Sequence, residues 1–108
     1  SQAKVLLRPA QAKPLTEAKR RARFEVLQAF RTVKSSEATL AVAARTREIA
    51  AETARLTKVA YLNGSGTSFD LVDTARRQRE AELDYTVKEF NVLRAKIAAL
   101  LALATCDV

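Results

Sequence analysis

Tyr61-Leu-Asn-Gly-Ser-Gly-Thr-Ser-Phe-Asp-Leu-Val-Asp73 holds both glycines of the chain and separates two long segments of helical composition. Asn63 and Gly64 stand where a helix would pass into a left-handed residue, a conformation that glycine adopts without steric cost and asparagine tolerates. Thr67 and Asp70 have the three-residue spacing of a capping box, in which hydroxyl and carboxylate satisfy the first unpaired amides of a new helix. The stretch therefore predicts the end of one helix, a short turn, and the start of another at about Thr67 or Ser68. With so few connecting residues the two helices must run antiparallel.

Outward from the turn, residues 15–62 contain neither Gly nor Pro, and at about 1.5 Å per residue such a helix reaches roughly 70 Å. Val26, Phe30, Val33 and Leu40 form one apolar series, and Val42, Ile49 and Leu56 recur at seven-residue spacing with Val59 beside them. Leu40, Ala43, Ala50 and Ala54 form another, of smaller residues, ending near Tyr61. Heptad spacing predicts coiled-coil packing, and two series on one helix predict neighbours on both flanks. A single wide amphipathic face in an ordinary bundle is the plainer alternative. The second helix is expected over about 67–104, with Phe69, Val72, Leu83, Phe90, Leu93, Ile97, Leu100 and Ala104 as its seam. Arg76 and Arg79 interrupt that seam and are expected to lie along its groove. Arg76 with Glu80 and Asp84 with Lys88 are four-residue pairs of opposite charge that support an exposed helix.

The expected fold is all-α, a long antiparallel two-helix coiled-coil hairpin that packs with neighbours into a bundle or α-barrel. Its parts are a loose leader over 1–13, a helix over about 14–62, a tip over 63–67, a helix over about 67–104 and a tail over 106–108. Pro14 suits a first helical turn, where its missing amide hydrogen costs little. Two helices alone cannot enclose a core, so self-association is expected.

Nineteen Lys and Arg against twelve Asp and Glu give a net charge of +7. The excess lies in residues 1–61, with thirteen basic and five acidic residues, and it is densest at Lys19, Arg20, Arg21 and Arg23. A solvated helix face is the first reading of that cluster, and no nucleic acid is expected as a partner. A basic hairpin binding RNA or DNA remains the alternative of a different class. The chain has no His and one Cys, Cys106, so neither a nucleophile with its base nor a His/Cys metal cluster can be assembled. Gly64-Ser-Gly66 lacks the residues that complete a phosphate-binding loop. An enzyme is not expected, nor a cofactor or metal. No apolar run approaches the roughly 20 residues that span a bilayer, and no secretory signal opens the chain.

The turn resembles the periplasmic hairpin tips of the TolC family, the outer-membrane efflux channels of Gram-negative bacteria. The likeness is carried by Tyr61, Gly64, Thr67 and Asp70-Leu-Val-Asp73, and more loosely by Glu80-Ala-Glu-Leu-Asp-Tyr85 and Asn91-Val-Leu-Arg-Ala95. The resemblance implies the second of a protomer's two hairpins, excised from a homotrimer whose α-helical tunnel stands in the periplasm below an outer-membrane β-barrel. As an isolated fragment the hairpin is expected to pair as a dimer. An inner-membrane transporter and a periplasmic adaptor would be partners, the adaptor meeting the tip at Tyr61, Gly64, Ser65, Gly66, Thr67 and Ser68. Asp70 and Asp73 match positions that form aspartate rings at the tunnel entrance and serve gating. First-turn carboxylates favoured by the helix dipole explain the same two residues equally well. Gly66 stands where some relatives carry a basic residue, and Thr105-Cys106-Asp107 replaces the usual glycine after the second helix, so the gating network is not carried over. The coiled-coil hairpin of the adaptor itself is the alternative, on Arg55, Leu62 and Ser68.

Overall fold

The computed structural model describes residues 9–106, and within them the protein is helical throughout apart from the turn. Helix α1 spans Pro9–Leu62 and helix α2 spans Ser68–Cys106, joined by residues 63–67. Residues 1–8 of the expected leader and 107–108 of the tail lie outside the described residues. The helix begins at Pro9, so it is Pro9 rather than Pro14 that takes the first helical position. Pro14 lies inside α1, where its ring nitrogen leaves the carbonyl of Ala10 without an intrahelical donor.

The chain divides into two compact units, Lys34–Arg94 and a second formed by Ser1–Val33 with Ala95–Val108. In Lys34–Arg94 the two helices lie antiparallel. Residues 46–53 of α1 line one groove with residues 74–84 of α2, and 51–58 line another with 71–78, so advancing along one helix means retreating along the other.

The face that α1 turns to its neighbour in this unit is Ser36, Leu40, Ala43, Arg47, Ala50, Ala54 and Thr57, and that of α2 is Leu71, Thr74, Gln78, Ala81, Tyr85, Lys88 and Val92. All of these are buried or half-buried. Spacings of three and four alternate through both series, which is the heptad seam of a coiled coil. Ala43, Ala81 and Val92 are its buried members. The alanines at 43, 50, 54 and 81 alternate in this seam with longer side chains such as Leu40, Leu71 and Tyr85, and small residues at such positions allow two helices to approach closely.

Most of the large apolar residues point the other way. Val42, Ile49 and Leu56 on α1, and Phe69, Val72, Leu83, Phe90 and Leu93 on α2, are exposed. For α2 this corrects the expectation drawn from hydrophobicity, because the anticipated seam from Phe69 to Leu93 is the outward face of the hairpin. On α1 the Leu40, Ala43, Ala50, Ala54 series forms the internal seam, while the Val42, Ile49, Leu56 series is left outside it.

The second unit is built on the same small-residue plan. Ala22, Val26, Ala29 and Val33 are half-buried, Ala95 and Ala99 are buried, and Ala102 is half-buried. Phe30, grouped in the sequence with Val26 and Val33, is exposed. Among the described residues no helix is long and apolar enough to cross a membrane.

Candidate functional site: the hairpin tip

The tip is held from both sides by local hydrogen bonds. The Ser65 amide donates to the carbonyl of Ala60 at 2.8 Å and the Gly64 amide to that of Tyr61 at 3.0 Å. This nested pair is the Schellman motif, which satisfies carbonyls that the end of α1 would otherwise leave free. Gly64 supplies the left-handed residue, with φ of +79°. Gly66 has no such backbone demand, and a Cβ placed on it would meet the Tyr61 amide nitrogen at an ordinary 3.5 Å.

Across the turn, the Asp70 amide donates to Thr67 Oγ1 and the Thr67 amide donates to Asp70 Oδ2, both at 3.2 Å. The reciprocal pair is a complete capping box, followed by the first helical bond from the Leu71 amide to the Thr67 carbonyl at 3.3 Å. Between the two caps Ser65, Thr67 and Ser68 are exposed and Gly66 is half-buried, with Tyr61 and Leu62 exposed on the approach and Phe69 on the departure. The tip is thus a hydrogen-bonded loop with a small, polar surface, flanked by one aromatic residue on each side.

Asp70 and Asp73 have different surroundings. Asp70 is exposed and occupied by its capping bond. Asp73, whose side chain is only 27% exposed, lies between two guanidinium groups, Arg76 at 3.0 Å and Arg77 at 3.1 Å. The hydrogen bond from Arg76 holds the Asp73 carboxyl below its usual pKa, partial burial opposes this, and the positive charges of Arg77 and Arg76 add to the lowering. Arg76 also reaches Glu80, and Lys88 pairs with Asp84 at 3.1 Å. Arg76 therefore lies along its own helix between two carboxylates instead of along a groove, because position 76 faces outward. Arg55, near the tip on α1, is engaged by Glu52 through two hydrogen bonds.

One contact across the seam was not read from the sequence. The guanidinium of Arg47 stacks over the Tyr85 ring at 3.8 Å from its centroid and lies 3.8 Å from a Glu82 carboxylate oxygen. Its signal was present as a gap. In the series Leu40, Ala43, Ala50, Ala54 the missing heptad position is 47, and a long cation there needs an aromatic or acidic neighbour opposite.

A shallow groove of about 390 Å³ runs beside this contact, lined on α1 by Thr46, Ile49, Ala50 and Thr53. The Thr46 hydroxyl donates to the carbonyl of Val42, so its hydrogen bond is spent on its own helix. Among the described residues, no group of three or more Cys, Asp or Glu is placed to hold a metal ion.

No family model, no curated protein and no solved structure matches the chain.

Proposed function

We propose that this hairpin is a stave of the periplasmic tunnel of a TolC-like outer-membrane export channel, docking by its tip to a periplasmic adaptor that serves an inner-membrane transporter. The observation that carries the reading is the division of labour between faces in Lys34–Arg94. The hairpin closes on a seam in which alanines alternate with Leu40, Leu71, Tyr85 and Val92, and it keeps most of its large apolar residues, Val42, Ile49, Leu56, Phe69, Val72, Leu83, Phe90 and Leu93, outside. A helix pair built to stand alone would do the reverse, because burying Leu, Ile, Val or Phe stabilises by about 1.5–3 kcal/mol each and burying an alanine methyl by roughly 0.8. Staves of a helical tunnel need such outward ridges, so that each pair can pack against the next.

The tip supports the docking half of the reading. Its loop is hydrogen-bonded on both sides, small and accessible, and the Tyr61 to Asp73 block carries the family resemblance. In the proposed assembly the tunnel is a homotrimer to which each protomer adds two hairpins. A photo-reactive residue at Ser65 in the intact channel tests this in living cells. Ser65 is preferable to Gly64, whose positive φ would strain any other residue. A cross-link to the adaptor is the expected result, and cross-links that form from the α2 surface at Glu89 but not from Ser65 would sink the assignment.

A further inference from the structure

The two units differ in charge as well as in sequence position. Lys34–Arg94 contains ten basic and nine acidic residues, and the ion pairs at Arg47, Arg55, Arg76, Arg77 and Lys88 hold Glu82, Glu52, Glu80, Asp73 and Asp84. The described part of the other unit has seven basic residues and two acidic ones, Glu17 and Glu25. Lys13, Lys19, Arg20, Arg21, Arg23 and Arg31 make no ion pair with any described residue.

The arrangement along the helix adds a second observation. Arg20, Arg23, Phe24, Leu27, Phe30 and Arg31 recur at three- and four-residue intervals, which places them on one stripe of α1. Phe24 and Leu27 at its centre lie outside the half-buried face of Ala22, Val26, Ala29 and Val33, and Phe30 stands at the margin between the two. Phe24 is 58% exposed, Leu27 56% and Phe30 45%, and the three arginines are exposed beside them.

We infer that this stripe binds the surface of an anionic phospholipid bilayer. Phenylalanine and leucine settle at the boundary of headgroups and acyl chains, as in helices that lie in the interface plane. Arginines on the same stripe reach back along their aliphatic stems to the phosphate level. Both kinds of side chain gain from one partner. A nucleic acid would engage the guanidinium groups and stack on the rings but leave Leu27 in water. A second copy meeting the stripe with its own would bring like charges together, since a two-fold contact sets the same patch against itself. Within Lys34–Arg94, five of the nine acidic residues are paired with arginines or lysines of that unit. The inference rests on residues outside both the tip and the outward face of Lys34–Arg94.

The test uses vesicles and the full chain. The protein has no Trp, so Phe24→Trp introduces a single reporter into the stripe, and Phe69→Trp introduces one at the tip as a control. Vesicles of equal parts phosphatidylglycerol and phosphatidylcholine should shift the Phe24→Trp emission to the blue, and vesicles of phosphatidylcholine alone should do so far more weakly. Phe69→Trp should stay unshifted in both. Each basic residue near an anionic surface is worth roughly a fivefold factor in binding. The variant carrying Arg20→Gln, Arg23→Gln and Arg31→Gln should therefore bind the mixed vesicles about a hundredfold more weakly. Circular dichroism would verify that this exposed-site variant keeps its helices. Equal binding to both vesicle types, an unshifted Phe24→Trp reporter, or tighter retention of a single-stranded RNA than of anionic vesicles would overturn the inference. So would sedimentation showing a dimer that Phe24→Ser dissociates.

Discussion

The two glycines of the tip are two residues apart, and replacing each by alanine should change stability in opposite directions. At Gly64 the surroundings are open, with nothing within 4 Å of an added Cβ, so the entire effect comes from the backbone, whose φ is +79°. An L-residue held in the left-handed region loses about 1–2 kcal/mol to the clash of its Cβ with the following carbonyl. Alanine returns part of that by restricting the unfolded chain, about 0.4–1 kcal/mol. Gly64→Ala should therefore destabilise by about 1 kcal/mol. At Gly66 no positive φ is required and the nearest atoms to an added Cβ stand at 3.5–3.8 Å, ordinary contact distances. Only the unfolded-chain effect remains, and Gly66→Ala should stabilise by about 0.4–1 kcal/mol. For a chain of this size 1 kcal/mol moves Tm by about 4–8 °C. Thermal and urea unfolding followed by circular dichroism, at one protein concentration for all variants, resolves a difference of that size. Gly64→Asn should fall between wild type and Gly64→Ala, since asparagine enters the left-handed region more readily. If Gly66→Ala destabilises as much as Gly64→Ala, the assignment of Gly64 as the sole left-handed residue of the turn is wrong.

Thr67→Ala removes one arm of the capping box and should destabilise by about 1 kcal/mol, while Thr67→Ser should be close to neutral, as urea midpoints would show. Arg47→Ala and Tyr85→Ala, alone and together, should give a coupling of about 0.5–1 kcal/mol for the partly exposed stacking contact; additive single effects would mean that the stacking contributes nothing. Asp73 has its pKa lowered in the fold, first by the Arg76 hydrogen bond. Its contribution to stability is therefore fully present above the unfolded value of about 3.9 and is lost as pH falls through the lower folded value. The Asp73 carboxyl resonance in an NMR titration should move at a lower pH than in Arg76→Gln with Arg77→Gln, and identical midpoints would contradict the pairing. In the proposed channel, Asp70→Ala with Asp73→Ala should weaken block by a multivalent cation from the periplasmic side in bilayer conductance, because carboxylates around a narrow mouth focus a negative potential. Undiminished block would leave Asp70 as a capping group and Asp73 as the partner of Arg76 and Arg77 alone.

The tip was legible in the sequence because its chemistry is local. A Schellman end and a capping box are specified within eight residues by Asn63, Gly64, Thr67 and Asp70, and nothing distant competes with them. The faces were harder to read. Ranking residues by hydrophobicity picks out Phe69, Leu83 and Phe90 as a seam, yet a two-helix interface selects residues by how closely they let backbones approach, and that criterion favours Ala43, Ala50 and Ala81. Both series have heptad spacing, so periodicity could not say which faces inward. Arg47 and Tyr85 escaped notice for the related reason that a cation and a phenol are not expected in a seam until each is seen to need the other. Likewise, the charge cluster at Lys19 to Arg23 was visible as composition, whereas its sharing of one stripe with Phe24, Leu27 and Phe30 depends on which side of α1 is covered.

The alanine seam of Lys34–Arg94 also bears on how this unit forms. Its level nearest the turn, Thr57 and Leu71, is separated by only the thirteen residues 58–70, which include the turn 63–67. Closing that loop carries the smallest entropic penalty available, and each further level enlarges the enclosed chain by a little at a time. Pairing should then start beside the caps and zip away from them, with Arg47 and Tyr85 acting as the first strong tooth. Amide hydrogens near the tip would be the slowest to exchange in this unit, and those toward Lys34 and Arg94 the fastest, a graded opening in place of a single all-or-none event.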